Sequence, residues 1–132
     1  VIVLDTHALV WWLAEPARLS AAARRAIDKA VRQAIPVAAS AISLFEIATL
    51  VRRGRLVLTI APDRWVQAAL GLPELRVLPV SVDIAWQAGQ FAEALPGDPA
   101  DRIIVATATA NEARLVTADD RLRAAGVVAT IW

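Results

Sequence analysis

Four acidic residues sit in apolar or turn-rich surroundings that give them no obvious partner. Asp5 closes the run VIVL and Asp119 closes LVTA, while Glu46 interrupts SLFEIA and Asp101 follows PGDPA. Carboxylates brought together repel one another, and some must stay protonated unless a cation joins them. Magnesium and manganese take oxygen ligands in octahedral geometry and keep several waters. An open, all-oxygen site of this kind suits phosphodiester hydrolysis, in which the metal polarises the phosphate and activates water for in-line attack. Thr6, Ser43 and Thr117 lie close to these acids in sequence, placed to orient the carboxylates or the water from behind.

Whether the four acids meet depends on the elements that carry them. VIVLD (1–5), PVAA (36–39), LRVLPV (75–80), RLVTAD (114–119) and VVATIW (127–132) read as short strands. Their nearly unbroken apolar character is that of strands buried on both faces. Helical patterns lie between them. One covers 6–13; another, SAAARRAIDKAVRQ, is capped by Ser20; a third opens at Ser40 or Ser43 and runs to Arg53, ahead of Gly54. PDRWVQAAL has Pro62 in its first turn, and SVDIAWQAGQFAEAL (81–95) is capped by Ser81. DRIIVATATANEA (101–113) has so little polar face that burial or a subunit contact is expected, and a short helix follows Asp119. Alternating strands and helices predict an α/β fold: a parallel sheet of about five strands, flanked by helices on both faces and joined by right-handed crossovers. Ligands of such sheets bind beyond the carboxyl ends of the strands. Asp5 and Asp119 both end strands, and Glu46 and Asp101 are expected on the same rim, flanked by Asp98 and Asp120.

Taken singly, each acid has a structural use. Ser43 and Glu46 have capping-box spacing, Asp101 can cap its own helix, and Asp120 reads as a cap. Asp5 is harder to dismiss, because Thr6 is able to cap the following helix without it. His7 is open to two readings, a general base beside Asp5 or a residue that packs at, or caps, the start of that helix. Trp11, Trp12, Trp65, Trp86 and Trp132 offer stacking surfaces for bases if exposed; Trp11 and Trp12 are expected in the core or a subunit contact. An anionic substrate also needs positive charge at the rim. Arg102, beside Asp101, and the cluster Arg52, Arg53 and Arg55 are candidates, against a salt bridge for the first and a solvated helix end for the others.

The bulk numbers set limits. The chain has 132 residues, enough for one domain with a real core, and 58 % of them are hydrophobic against 20 % charged. That excludes disorder. Uncharged stretches stop short of the ~18–20 residues that span a bilayer, and no signal-peptide pattern is present, so a cytoplasmic location is expected. There is no cysteine and a single histidine, which excludes disulfides, thiolate zinc sites and multi-histidine metal sites. A net charge of +1 is too small to argue nucleic-acid binding by itself. Thirteen arginines to one lysine suit bidentate phosphate contacts, or reflect compositional bias.

LDTHALVWW (4–12), SLFEIA (43–48), DPADRIIVATA (98–108) and LVTADDRL (115–122) together resemble the PIN-domain ribonucleases, and more narrowly the VapC-type toxins of bacterial toxin–antitoxin pairs. Each motif is short, but their order and spacing match across nearly the whole chain. The resemblance implies a single PIN domain over 1–132 and a magnesium- or manganese-dependent endoribonuclease. It places the family's acidic positions on Asp5, Glu46, Asp101 and Asp119, with the metal on Asp5 and Asp101 and Asp119 completing the shell. The family's hydroxyl falls on Thr117, less directly on Thr6. It further implies a homodimer held inactive by a cognate antitoxin. Where close relatives carry a histidine two residues before the DPxDR-like motif, this chain has Pro96; Asp98 is then a candidate outer member of the site.

A rival enzyme class and a signalling domain both fit poorly. A haloacid-dehalogenase-type phosphatase needs an aspartate two residues after the first, where His7 stands, and a receiver-like domain lacks a lysine near the rim, the only one being Lys29. A PIN-like binding module without catalysis is the remaining alternative, opposed by the complete acidic set.

Overall fold

The computed structural model describes residues 1–95 and 97–132; Pro96, where the family resemblance departs, lies outside the described residues. Five parallel strands, β1 (Ile2–Leu4), β2 (Val37–Ser40), β3 (Leu75–Leu78), β4 (Arg114–Val116) and β5 (Thr130–Ile131), form one sheet in the order β3-β2-β1-β4-β5. The connections carry α1 (Thr6–Ala14), a 3-10 turn (Pro16–Arg18), α2 (Ala21–Arg32), α3 (Ala41–Arg52), α4 (Pro62–Leu70), α5 (Val82–Gln90), α6 (Pro99–Ala110) and α7 (Asp120–Ala125).

The strands are apolar on both sides because both sides are covered. Successive side chains of a strand point to opposite faces. Ile2 and Leu4 accordingly join Val37 and Ala39 in a core with Leu9 of α1, Ala23 and Ile27 of α2, and Trp65 of α4. Val3, Ala38 and Leu115 point the other way, onto Ile104, Val105 and Ala108 of α6 and Leu122 of α7. Helix α5 packs outside α6 through Ile84, Ala88 and Ala106. The expected burial of α6 is borne out: Ile104 to Ala108 are all buried.

The chain runs outward from β1 to β2 and β3, then returns to place β4 and β5 on the other flank. The β1/β4 boundary is therefore the point where the strand order reverses, and it opens the crevice in which doubly wound sheets bind ligands.

Several local expectations are corrected. Asp5, not Thr6, caps α1, its side chain accepting from the Ala8 N–H at 2.8 Å. Ser40 caps α3, so Ser43 lies inside the helix and forms no capping box with Glu46. Helix α6 begins two residues early because Asp98 caps it, accepting from the N–H groups of Ala100 and Asp101. That frees Asp101 from the capping role. Asp119 caps α7, leaving Asp120 exposed in the first turn and paired with Arg123. Helix α5 stops at Gln90 instead of reaching residue 95. The Arg102 guanidinium accounts for this, donating to the carbonyls of Ala88 (2.9 Å), Leu95 (3.2 Å) and Phe91. It satisfies the groups that the helix end leaves open, and Leu95 turns back into the core.

Candidate active site

At the carboxyl edge of the sheet the apolar run of each central strand gives way to a polar residue. The register aligns Leu4 with Ala39 on one side and with Val116 on the other. The next residues, Asp5, Ser40 and Thr117, therefore form a polar row across three strands, all buried. The Asp5 N–H extends the ladder, donating to the Val116 carbonyl at 3.0 Å.

Above this row lies a cleft of about 460 Å³. Its acidic part is made by Asp5, Glu46, Asp98, Asp101 and Asp119. All four acids expected at the rim thus share one cleft, with Asp98 beside them. Each arrives by a different route: Asp5 from the end of β1, Glu46 from the second turn of α3, Asp98 and Asp101 from the start of α6, Asp119 from the end of the β4 segment. The N-termini of α1, α6 and α7 all open here through their acidic caps, and the partial positive charge of a helix start favours anions.

The acids differ in how they are held. Burial pushes the Asp5 carboxyl up, against the opposing pull of the Thr117 hydroxyl and the Ala8 N–H. Burial also raises Glu46, with the Thr6 hydroxyl opposing. Thr6 Oγ1 donates to Glu46 Oε1 at 2.5 Å and meets Ser43 Oγ at 3.0 Å. Thr6 and Ser43 are both buried, so the expected supporting hydroxyls act together on Glu46 from below. Asp101 is pushed up to about 7, first by burial and then by the like charges of Asp98, Glu46, Asp119 and Asp5. Burial pushes Asp119 up too, but the N–H groups of Arg121 and Leu122 and the Arg121 guanidinium outweigh it and hold it below the ordinary value. Thr117 Oγ1 accepts from the Asp119 N–H at 3.0 Å, a local bond that turns the chain just after β4.

When ionised, the five carboxylates face two guanidiniums, those of Arg18 and Arg121, in the cleft wall. This donor set, oxygen-only and short of positive charge, fits a hard divalent cation. Among the described residues, no three His, Asp or Glu side chains are gathered into a closed ligand shell. Magnesium needs none, since it is commonly held by one or two carboxylates and several waters.

The expected basic residues are not at the cleft. Arg102 turns inward to its three carbonyls, and Arg52 and Arg53 end α3, a full helix length from its start at the rim. Arg18, Arg121, His7 and Trp11 take their place. His7 is exposed, with its ring against that of Trp11; Trp11 and Trp12, half-buried, pack against the core as expected, and Trp11 also lines the cleft. Arg121 was signalled by its place behind the acidic pair 119–120; Arg18, brought back by a turn after α1, carried no local signal.

The PIN domain family profile matches residues 2–128. The chain is 42% identical over 122 residues to Ribonuclease VapC22 of Mycobacterium tuberculosis, covering 92% of this chain and 89% of that protein. Two solved structures share its fold. One is a toxin–antitoxin complex from Klebsiella pneumoniae (TM-score 0.66, 20% identity, 100% of this chain and 97% of that one). The other is VapBC2 from Rickettsia felis bound to a DNA fragment from their promoter (TM-score 0.71, 16% identity, 98% and 97%).

Proposed function

The chain belongs to the PIN-domain family, and we propose that it is a metal-dependent endoribonuclease acting as the toxin of a toxin–antitoxin pair. One observation carries the reading: Asp5, Glu46, Asp101 and Asp119, from four separate connections, meet in one cleft at the switch point of the sheet. The 42% identity to a protein named as a ribonuclease supports RNA as the substrate.

Asp5 and Asp101 would hold the metal most directly, with Asp119 reaching it through water. Magnesium or manganese, when bound, supplies positive charge that polarises the phosphate and acidifies water. The chain's own groups do the rest. The Ala8 N–H and Thr117 fix one orientation of Asp5, and Arg121 with the start of α7 fixes Asp119. Thr6 anchors one oxygen of Glu46, leaving the carboxylate to orient the attacking water and take its proton. Asp98 caps α6 and so sets the position of Asp101 three residues on.

Residues 1–132 act as one PIN domain in this reading. The likeness to structures titled as toxin–antitoxin complexes supports a cognate antitoxin as partner. Val82 and Trp86 of α5 are 86% and 72% exposed, an apolar surface that suits a homodimer contact. Among the described residues, no helix is long and apolar enough to cross a membrane, which accords with a cytoplasmic location.

The test is cleavage of total cellular RNA by purified protein freed of antitoxin, with mapping of the new 5′ ends, in magnesium, manganese and EDTA. Discrete cuts that require metal are expected. Uncut RNA with either metal, from protein shown to be folded, would leave a binding module without catalysis.

A further inference from the structure

RNA is a polyanion and the cleft is acidic, so binding needs contacts other than the carboxylates. Of the two guanidiniums in the cleft wall, Arg121 is engaged by Asp119 at 3.5 Å. Among the described residues, Arg18 pairs with no cleft acid. Its carboxylate contact is with Glu15, at 3.5 Å, where both side chains are more than half exposed; such a pair exchanges easily with solvent or another anion. The Arg18 guanidinium lies 4.8 Å from the centre of the Trp11 ring, which fixes it at the cleft wall by a cation–π contact.

Trp11 also carries a second neighbour. His7, one helical turn earlier and therefore on the same face of α1, has its ring 5.7 Å from that of Trp11. Trp132 backs Trp11 from the far end of the chain at 5.6 Å. His7 itself is exposed, in the second position of α1 and two residues from Asp5. A ring, a supporting indole and a guanidinium whose carboxylate partner is exposed thus form a strip that begins beside the acid cluster and leads away from it along α1. Flat rings next to a cation are what single-stranded nucleic acid uses, bases on the rings and phosphate on the cation.

On the proposal that the cleft cuts RNA, we infer that His7 and Arg18, propped on Trp11, form a binding subsite for the nucleotide next to the scissile phosphate. The His7 ring stacks on its unpaired base, and Arg18 pairs with its phosphate. The cleft would then favour single-stranded RNA over duplex, since a paired base cannot offer its face.

The test measures binding of a fluorescein-labelled, mixed-sequence 12-nucleotide RNA by anisotropy, beside an abasic oligomer of equal length. Calcium replaces magnesium, and each sample is checked on a gel for intact RNA. His7→Ala is expected to weaken binding of the base-bearing RNA roughly five-fold or more and to leave the abasic oligomer unchanged, while His7→Phe restores the loss. Arg18→Ala is expected to weaken both oligomers and to lower the slope of log K against log salt by about 0.7. Equal effects of His7→Ala on both oligomers, or none on either, would overturn the stacking role; an unchanged salt slope in Arg18→Ala would overturn the phosphate contact. Metal-dependent cleavage alongside those results would leave the ribonuclease reading standing, whereas absence of both binding and cleavage in the wild-type protein would remove the two together.

Discussion

The interior of the sheet and its carboxyl edge obey opposite rules. Within β1, β2 and β4 the buried positions are Ile, Val, Leu and Ala, apart from Ser40 at the last position of β2. One step beyond, Asp5 and Thr117 join Ser40, and Thr6 and Ser43 lie just above, all buried. Among the described residues the one other buried polar side chain, Thr107 of α6, simply donates to the Ile103 carbonyl one turn back. Burying apolar groups stabilises the fold; burying a carboxylate opposes it unless donors or a cation compensate. The interior is built for stability; on the proposed function the edge keeps its costly groups for chemistry, a division expected of functional sites.

Substitution separates the two regions. Asp5→Asn or Asp101→Asn should cut RNA cleavage by about two to three orders of magnitude while the protein stays folded, checked by initial rates beside circular dichroism. Full activity in either variant would break the assignment of that carboxylate. Ile27→Ala, in the core beneath α2, should do the reverse. It should cost about 2–5 kcal/mol in denaturant unfolding and leave the rate per folded molecule unaltered.

Arg102 stands next to Asp101 yet belongs to the interior. Arg102→Ala removes three charge-assisted hydrogen bonds to carbonyls, an expected loss of about 2–4 kcal/mol. Arg102→Lys should recover little, since an ammonium cannot match the fork of donors. The salt dependence of RNA binding should not change in either variant.

The smallest effect is a pH dependence of stability in metal-free protein. The Asp101 carboxyl is raised from 3.8 to about 7 in the folded state. The folded form therefore holds a proton that the unfolded form has released, and stability falls as pH rises from about 4 through 7. In EDTA the Tm should be higher at pH 5.5 than at pH 7.5, and Asp101→Asn should flatten that difference.

Most of the fold was legible because apolar runs report burial directly. Five strands and their intervening helices follow from VIVL, PVAA, LRVL, LV and TI, and the address of Asp5 follows from its place at a strand end. The four acids were legible for the same reason, and their meeting in one cleft bears out the expected convergence. What escaped was set by contacts between distant segments. Which of two neighbouring polar residues caps a helix turned on partners elsewhere: Thr6 is drawn to Glu46, forty residues away, and Asp5 is left to cap α1. The early end of α5 depends on Arg102, fourteen residues past Ala88. Arg18 reaches the cleft only because a turn after α1 lays it over Trp11.

The proposed function turns on whether the edge carboxylates form a metal site. Titration of manganese into metal-free protein, followed by the paramagnetic resonance of the free ion, tests it most directly. Saturable binding by the wild-type chain is expected, lost or weakened at least ten-fold in both Asp5→Asn and Asp101→Asn. Equal manganese binding by the wild type and both variants would contradict it.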